Sequence, residues 1–168
     1  GSGYGETTIY FALNYKSSKV LSCDKFINGN YNLLKNIEKL NIQNIFLHDG
    51  NVLEILDKNI KYEYFSKICI FFPDPWPKKK HKKRRLINEE FVKNLDEITF
   101  KHSEILITTD DEDYSNQILK SFSKQNFFKL LLKTSDNEIF EDYKIYPTKY
   151  FRKAKRENRK IYFFIFQK

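Results

Sequence analysis

The chain has 168 residues, 40% hydrophobic, 17% aromatic and 31% charged, which suits one globular domain with a Phe- and Tyr-rich core and excludes a disordered or collagen-like chain. No run approaches the roughly 18 apolar residues of a membrane span and no signal peptide precedes the first motif, while Cys23 and Cys69 lack CxxC partners, so a disulfide framework and a zinc site are not indicated and a cytoplasmic setting is expected. The net charge of +8 is uneven: residues 78–85 (KKKHKKRR) hold seven cations, residues 149–160 (KYFRKAKRENRK) hold seven against Glu157, and the remainder is mildly acidic.

In chain order, residues 6–15 read as helix, 19–23 as strand, 27–40 as helix and 44–48 as strand. A weaker helix is predicted over 51–58. Residues 67–72 (KICIFF) form a nearly continuous apolar strand of the sort buried on both faces of a parallel sheet. Asn88 is a candidate cap for a helix through about residue 98, 104–108 reads as another buried strand, and Asp110 or Asp111 is a candidate cap for a helix reaching about 123. Residues 127–133 and 160–166 are the last strand candidates, separated by a polar excursion at 134–148. This alternation predicts an α/β, doubly wound domain with a mostly parallel sheet and helices on both faces. In that class ligands bind beyond the carboxyl ends of the strands, where Asp24, Asp49, Asp74 and Asp110 stand; all four are expected on one rim.

Gly1, Gly3 and Gly5 make a G-x-G-x-G loop leading into a helix, where glycine permits positive φ and close approach of a ligand to the backbone. Its spacing differs from the dinucleotide fingerprint. Asp24, 19 residues beyond Gly5, suits a carboxylate bonded to the ribose hydroxyls of a nucleoside, which together with the loop suggests S-adenosylmethionine; a glycine-rich turn with a solvent-facing Asp is the plainer reading. Asp49 stands where such a site meets the adenine edge, and a helix-capping role fits it equally. The segment 72–78 (FPDPWPK) is the most specific feature, because prolines on both sides of Asp74 restrict the backbone and fix a carboxylate beside Trp76. Trp76 is expected to pack the loop. His48, His81 and His102 receive no role. The two basic runs suit a polyanionic partner, and the first is internal, unlike a solvated tail.

These motifs, with KKRRL at 82–86, TDDEDY at 109–114 and TKY at 148–150, resemble the bacterial-type tRNA (guanine-N7-)-methyltransferases, which are class I S-adenosylmethionine-dependent enzymes, over nearly the whole chain. The resemblance implies that Gly1, Gly3, Gly5, Asp24 and Asp49 bind the cofactor and that Asp74 binds cofactor or substrate at the reaction centre. It implies that Lys78, Asp110, Thr148, Lys149, Tyr150 and Phe151 face the substrate and that Arg84 contacts RNA. The expected target is the variable-loop guanine at tRNA position 46, with no metal, in a monomer or a homodimer. Three departures stand out: Asp24 and Phe151 occupy positions where the family usually has Glu, and the acidic residue and strand that the family places before the first glycine are missing, so the amino terminus is expected to be incomplete. An RNA-binding module without catalysis, and a class I methyltransferase acting on another nucleic acid or a small molecule, remain as alternatives.

Overall fold

The computed structural model describes residues 1–56, 63–143 and 145–168. In chain order it contains α1 (Glu6–Asn14), β1 (Val20–Asp24), α2 (Ile27–Lys39), β2 (Ile45–Asp49), α3 (Val52–Leu56), β3 (Phe65–Phe71), a 3-10 helix (Lys79–Arg84), α4 (Glu89–Ile98), β4 (Thr99–Thr109), α5 (Glu112–Ser123), β5 (Lys129–Thr134), α6 (Ile139–Asp142), α7 (Lys149–Arg156) and β6 (Tyr162–Gln167). Two compact units are formed, Gly1–Asp57 with Asn137–Lys149, and Lys58–Asp136 with Tyr150–Lys168. Among the described residues no helix is long and apolar enough to cross a membrane.

In the first unit β1 and β2 pair in parallel from Val20↔Ile45 to Asp24↔Asp49, joined by α2. That register puts Asp24 and Asp49 side by side at the carboxyl ends of neighbouring strands. Gly5 starts α1 with φ 81°, and a Cβ there would stand 2.7 Å from Cδ1 of the fully buried Leu33 of α2. Glycine is therefore required twice over, by backbone conformation and by packing.

The second unit holds a four-stranded sheet in the order β3-β4-β6-β5. β3 runs parallel to β4, while β6 is antiparallel to both β4 and β5. Ile105 and Ile107 of β4 and Phe164 and Phe166 of β6 are buried with Val92 and Leu95 of α4 and Ile118 and Phe122 of α5. Phe122 stacks on Phe166 with ring centroids 3.7 Å apart. Asn88 caps α4 by accepting from Phe91 N at 2.9 Å, and Asp111, rather than Asp110, caps α5 by accepting from Tyr114 N at 2.7 Å. Each cap satisfies an amide that the first helical turn leaves without a partner.

One expectation changes, and two segments gain elements that were not predicted. Among the described residues β3 is the end strand of its sheet and the KICIFF segment is half-exposed; the deeply buried run belongs to β4, which has a strand on each side. The polar excursion includes the short α6, with Ile139 and Phe140 buried. Residues 149–156 of the second basic run form α7, hidden from periodicity because Ala154 is its one buried residue among seven more exposed ones. The predicted helix over 51–58 is seen as Val52–Leu56, its last two positions lying outside the described residues.

Candidate functional site

In the first unit the glycine loop closes onto the ends of β1 and α2. Gly3 N donates to Asp24 Oδ2 at 2.6 Å, and Phe26 N donates to Asp24 Oδ1 at 2.9 Å. The Asp24 carboxylate is half-buried and oriented by two backbone amides, yet each oxygen keeps a second lone pair. Gly29, at the start of α2, lies so close that a Cβ there would collide with Gly3 O. The next residue, Asn30, is 4% exposed and ties the two carboxylate-bearing strand ends together: its Nδ2 donates to Asp24 O and to Asp49 Oδ1, both at 2.8 Å. Its Oδ1 is buried without a hydrogen-bond partner. Asp49 itself is exposed.

The same unit includes the segment that leads into α7. Thr7 Oγ1 donates to Tyr146 O at 3.1 Å, Lys149 N donates to Glu6 Oε2 at 3.3 Å, and the Lys149 ammonium lies 4.7 Å from the ring centre of Tyr4 in the glycine loop. Lys149 therefore sits against the loop. Gly1 is exposed, and its amino group donates to Cys23 O at 2.5 Å.

In the second unit Asp74 is exposed just beyond β3. Its loop begins with Phe72, whose N donates to Thr108 O at 2.9 Å. Phe72 and Trp76 have φ of 52° and 42°, in the left-handed region that side chains disfavour. Tyr150, 56% exposed, stacks on Phe72 at 6.4 Å. Trp76 is half-buried, packs edge-on against His81 at 5.8 Å and carries the Arg84 guanidinium over its face at 4.9 Å. Lys78 and Arg84 are exposed, whereas Thr148 and Phe151 are half-buried.

Not every cation in the two basic runs is directed outward. Arg85 is buried; it and Lys82 both reach Asp113 Oδ2 at 2.7 Å. The bonds from Lys82 and then Arg85 hold the Asp113 carboxyl below its ordinary range. In the second run Arg159 pairs with Asp110 and, at 3.0 Å, with Glu157. Asp110, expected to face substrate, thus already carries an internal counterion. Among the described residues no group of three or more His, Cys, Asp or Glu side chains is arranged to hold a metal ion.

A family model described as "Putative methyltransferase" matches residues 1–164. A tRNA (guanine-N(7)-)-methyltransferase of Wolbachia pipientis wMel is 37% identical over 164 residues, covering 98% of this chain and 71% of the relative. The chain belongs to the tRNA (guanine-N(7)-)-methyltransferase family. A member from Leptospira interrogans serovar copenhageni is 30% identical over 168 residues, with 98% of this chain and 74% of the relative covered. Among solved structures, an rRNA methylase from Streptococcus thermophilus superposes with a TM-score of 0.65 at 16% identity, over 100% of this chain and 82% of that one. A Streptococcus mutans methyltransferase solved with SAH gives 0.63 at 15% identity, over 99% and 84%. The fold is that of the class I methyltransferases.

For a member of this family, motif reading singled out Gly3, Asp24 and Asp49, which the structure brings together, and Lys149, which it adds to that loop. It missed Gly29 and Asn30, whose signal is a Gly-Asn pair in the first turn of α2, where neither residue favours helix. It also missed Arg85, hidden inside a charge run.

Proposed function

We propose that this chain transfers the methyl group of S-adenosylmethionine to N7 of a guanine in tRNA, with position 46 of the variable loop as the target and residues 1–168 belonging to one methyltransferase domain. The observation that carries the reading is the 37% identity to the Wolbachia enzyme across 98% of this chain. The residues in the first unit fit the donor chemically. Asp24 has lone pairs left for two ribose hydroxyls, Asp49 is an exposed acceptor for the adenine amino edge, and the orphaned Asn30 Oδ1 leaves an acceptor among them.

When bound, the donor supplies an electrophilic sulfonium methyl. Guanine N7 has an in-plane lone pair and no proton, so no general base is needed. The enzyme's task is alignment, which can lower a barrier by on the order of 7–11 kcal/mol. Methylation leaves positive charge on the purine, and the Asp74 carboxylate is the group we assign to stabilise it. Tyr150, stacked on Phe72, offers an aromatic face to the base, while Lys78 and Arg84 serve the phosphates. The cytoplasm, where tRNA is modified, is the setting this role requires.

The test is to incubate the protein with S-adenosylmethionine and unmodified tRNA and then apply strand scission specific for N7-methylguanosine. A single new cleavage in the variable loop supports the reading. Retained tRNA binding without cleavage favours an RNA-binding module, and methyl on another base favours a different nucleic-acid methyltransferase.

A further inference from the structure

The two arginines that close the first basic run have opposite environments. Arg84 is exposed and lies over Trp76. The Arg85 side chain is 1% exposed. Its Nε donates to Pro75 O at 2.7 Å, its Nη1 donates to Gln117 Oε1 at 2.8 Å and pairs with Asp113 Oδ2 at 2.7 Å, and its Nη2 stands 3.6 Å from Asp111 Oδ1. The guanidinium lies 4.8 Å from the ring centre of Tyr114. The chain just beyond it is fastened to the same helix: Ile87 N donates to Tyr114 Oη at 2.9 Å, and Gln117 Nε2 donates to Ile87 O at 3.0 Å.

Pro75 is the residue after Asp74, and the loop around it carries the two left-handed residues Phe72 and Trp76. Such conformations persist where the surroundings over-determine them. One tie is Phe72 N on Thr108 O at the start of the loop; the second is Arg85 Nε on Pro75 O in its middle. The same side chain pairs with Asp113 at 2.7 Å and stands 3.6 Å from Asp111, so a single buried fork links the loop after Asp74 to the start of α5. A lysine cannot do this, since it offers a point charge in place of a planar set of five donors.

We propose that Arg85 is a positioning residue, which holds the 73–77 loop and thereby Asp74 against the start of α5, and which makes no contact with RNA. The catalytic part of this inference rests on the function proposed above. Trp76 is the sole tryptophan of the chain and lies in that loop, so its fluorescence reports loop position whether or not the protein is active. In the full chain, Arg85→Lys is expected to raise acrylamide quenching of Trp76 about twofold and to lower kcat ten- to a hundredfold, with the tRNA Kd within threefold and its salt dependence unchanged. Arg84→Ala is expected to weaken tRNA binding and flatten the salt dependence. Should Arg85→Lys fail to fold, Gln117→Leu and Asp113→Asn remove the partners on α5 one at a time and should give the same signature more weakly. A weaker tRNA Kd and flatter salt dependence in Arg85→Lys would make it an RNA contact and overturn the proposal. Unchanged quenching and kcat, with only a lower Tm, would overturn it as well. If the wild-type chain methylates no tRNA, the functional reading fails, and Trp76 quenching alone still decides whether Arg85 holds the loop.

Discussion

Asp24 ends a parallel strand and Asp74 follows one, yet their surroundings differ. Asp24 is half-buried, receives backbone amides on both oxygens and is linked through Asn30 to Asp49. Asp74 is exposed on a loop whose backbone, rather than whose carboxylate, is fastened. The contrast suits the roles proposed above: a carboxylate held by two amides for a neutral, multiply hydroxylated group, and an exposed carboxylate on a fastened loop for developing charge.

The sharpest way to break that division is Asp74→Asn. Turnover is expected to fall about 100-fold, in the range seen when a group that stabilises developing charge is removed, with tRNA affinity changed far less. Saturation kinetics with tRNA check it, and unchanged turnover would remove Asp74 from the mechanism. Gly29→Ala probes the other side. Its Cβ would collide with the Gly3 carbonyl, so the loop must shift, at a cost of about 1–3 kcal/mol in stability and about tenfold in S-adenosylmethionine affinity. Chemical denaturation and calorimetric titration read the two effects.

Tyr114 tests how firmly the second unit is held. It is fully buried, and burial pushes its hydroxyl up to about 12. The folded state therefore retains the proton longer than the unfolded chain, whose tyrosines titrate near 10. The associated stability is complete below about pH 10 and is lost as pH rises towards 12, by about 2–3 kcal/mol. Denaturation at several pH values should show this decline, and Tyr114→Phe should lessen it. A smaller effect is expected for Arg84→Ala, which should reduce the magnitude of the log–log salt slope of tRNA binding by about 0.7–0.9, one phosphate contact. Filter binding across a salt series measures it.

Much of this was legible in the residues themselves. The cap at Asn88, and one at Asp110 or Asp111 that the structure gives to Asp111, came from short polar side chains preceding apolar periodicity, and the strand ends at Asp24 and Asp49 from an apolar run stopping at a carboxylate. What escaped depends on long-range geometry. Charge runs read as uniform, although the fold buries Arg85, pairs Lys82 with Asp113 and turns Arg159 onto Asp110. Asn30 looked like an ordinary helix position because its partners are backbone and carboxylate atoms 6 and 19 residues away. The bond between Arg85 and Pro75 spans only ten residues, but nothing in the composition of the run distinguishes Arg85 from Arg84.

Calorimetric titration of S-adenosylmethionine into the wild-type protein, Asp24→Asn and Asp74→Asn tests the separation of these two carboxylates most directly. Asp24→Asn is expected to weaken cofactor binding tenfold or more, and Asp74→Asn to change it less than threefold. Equal weakening, or a larger loss at Asp74, would contradict that separation.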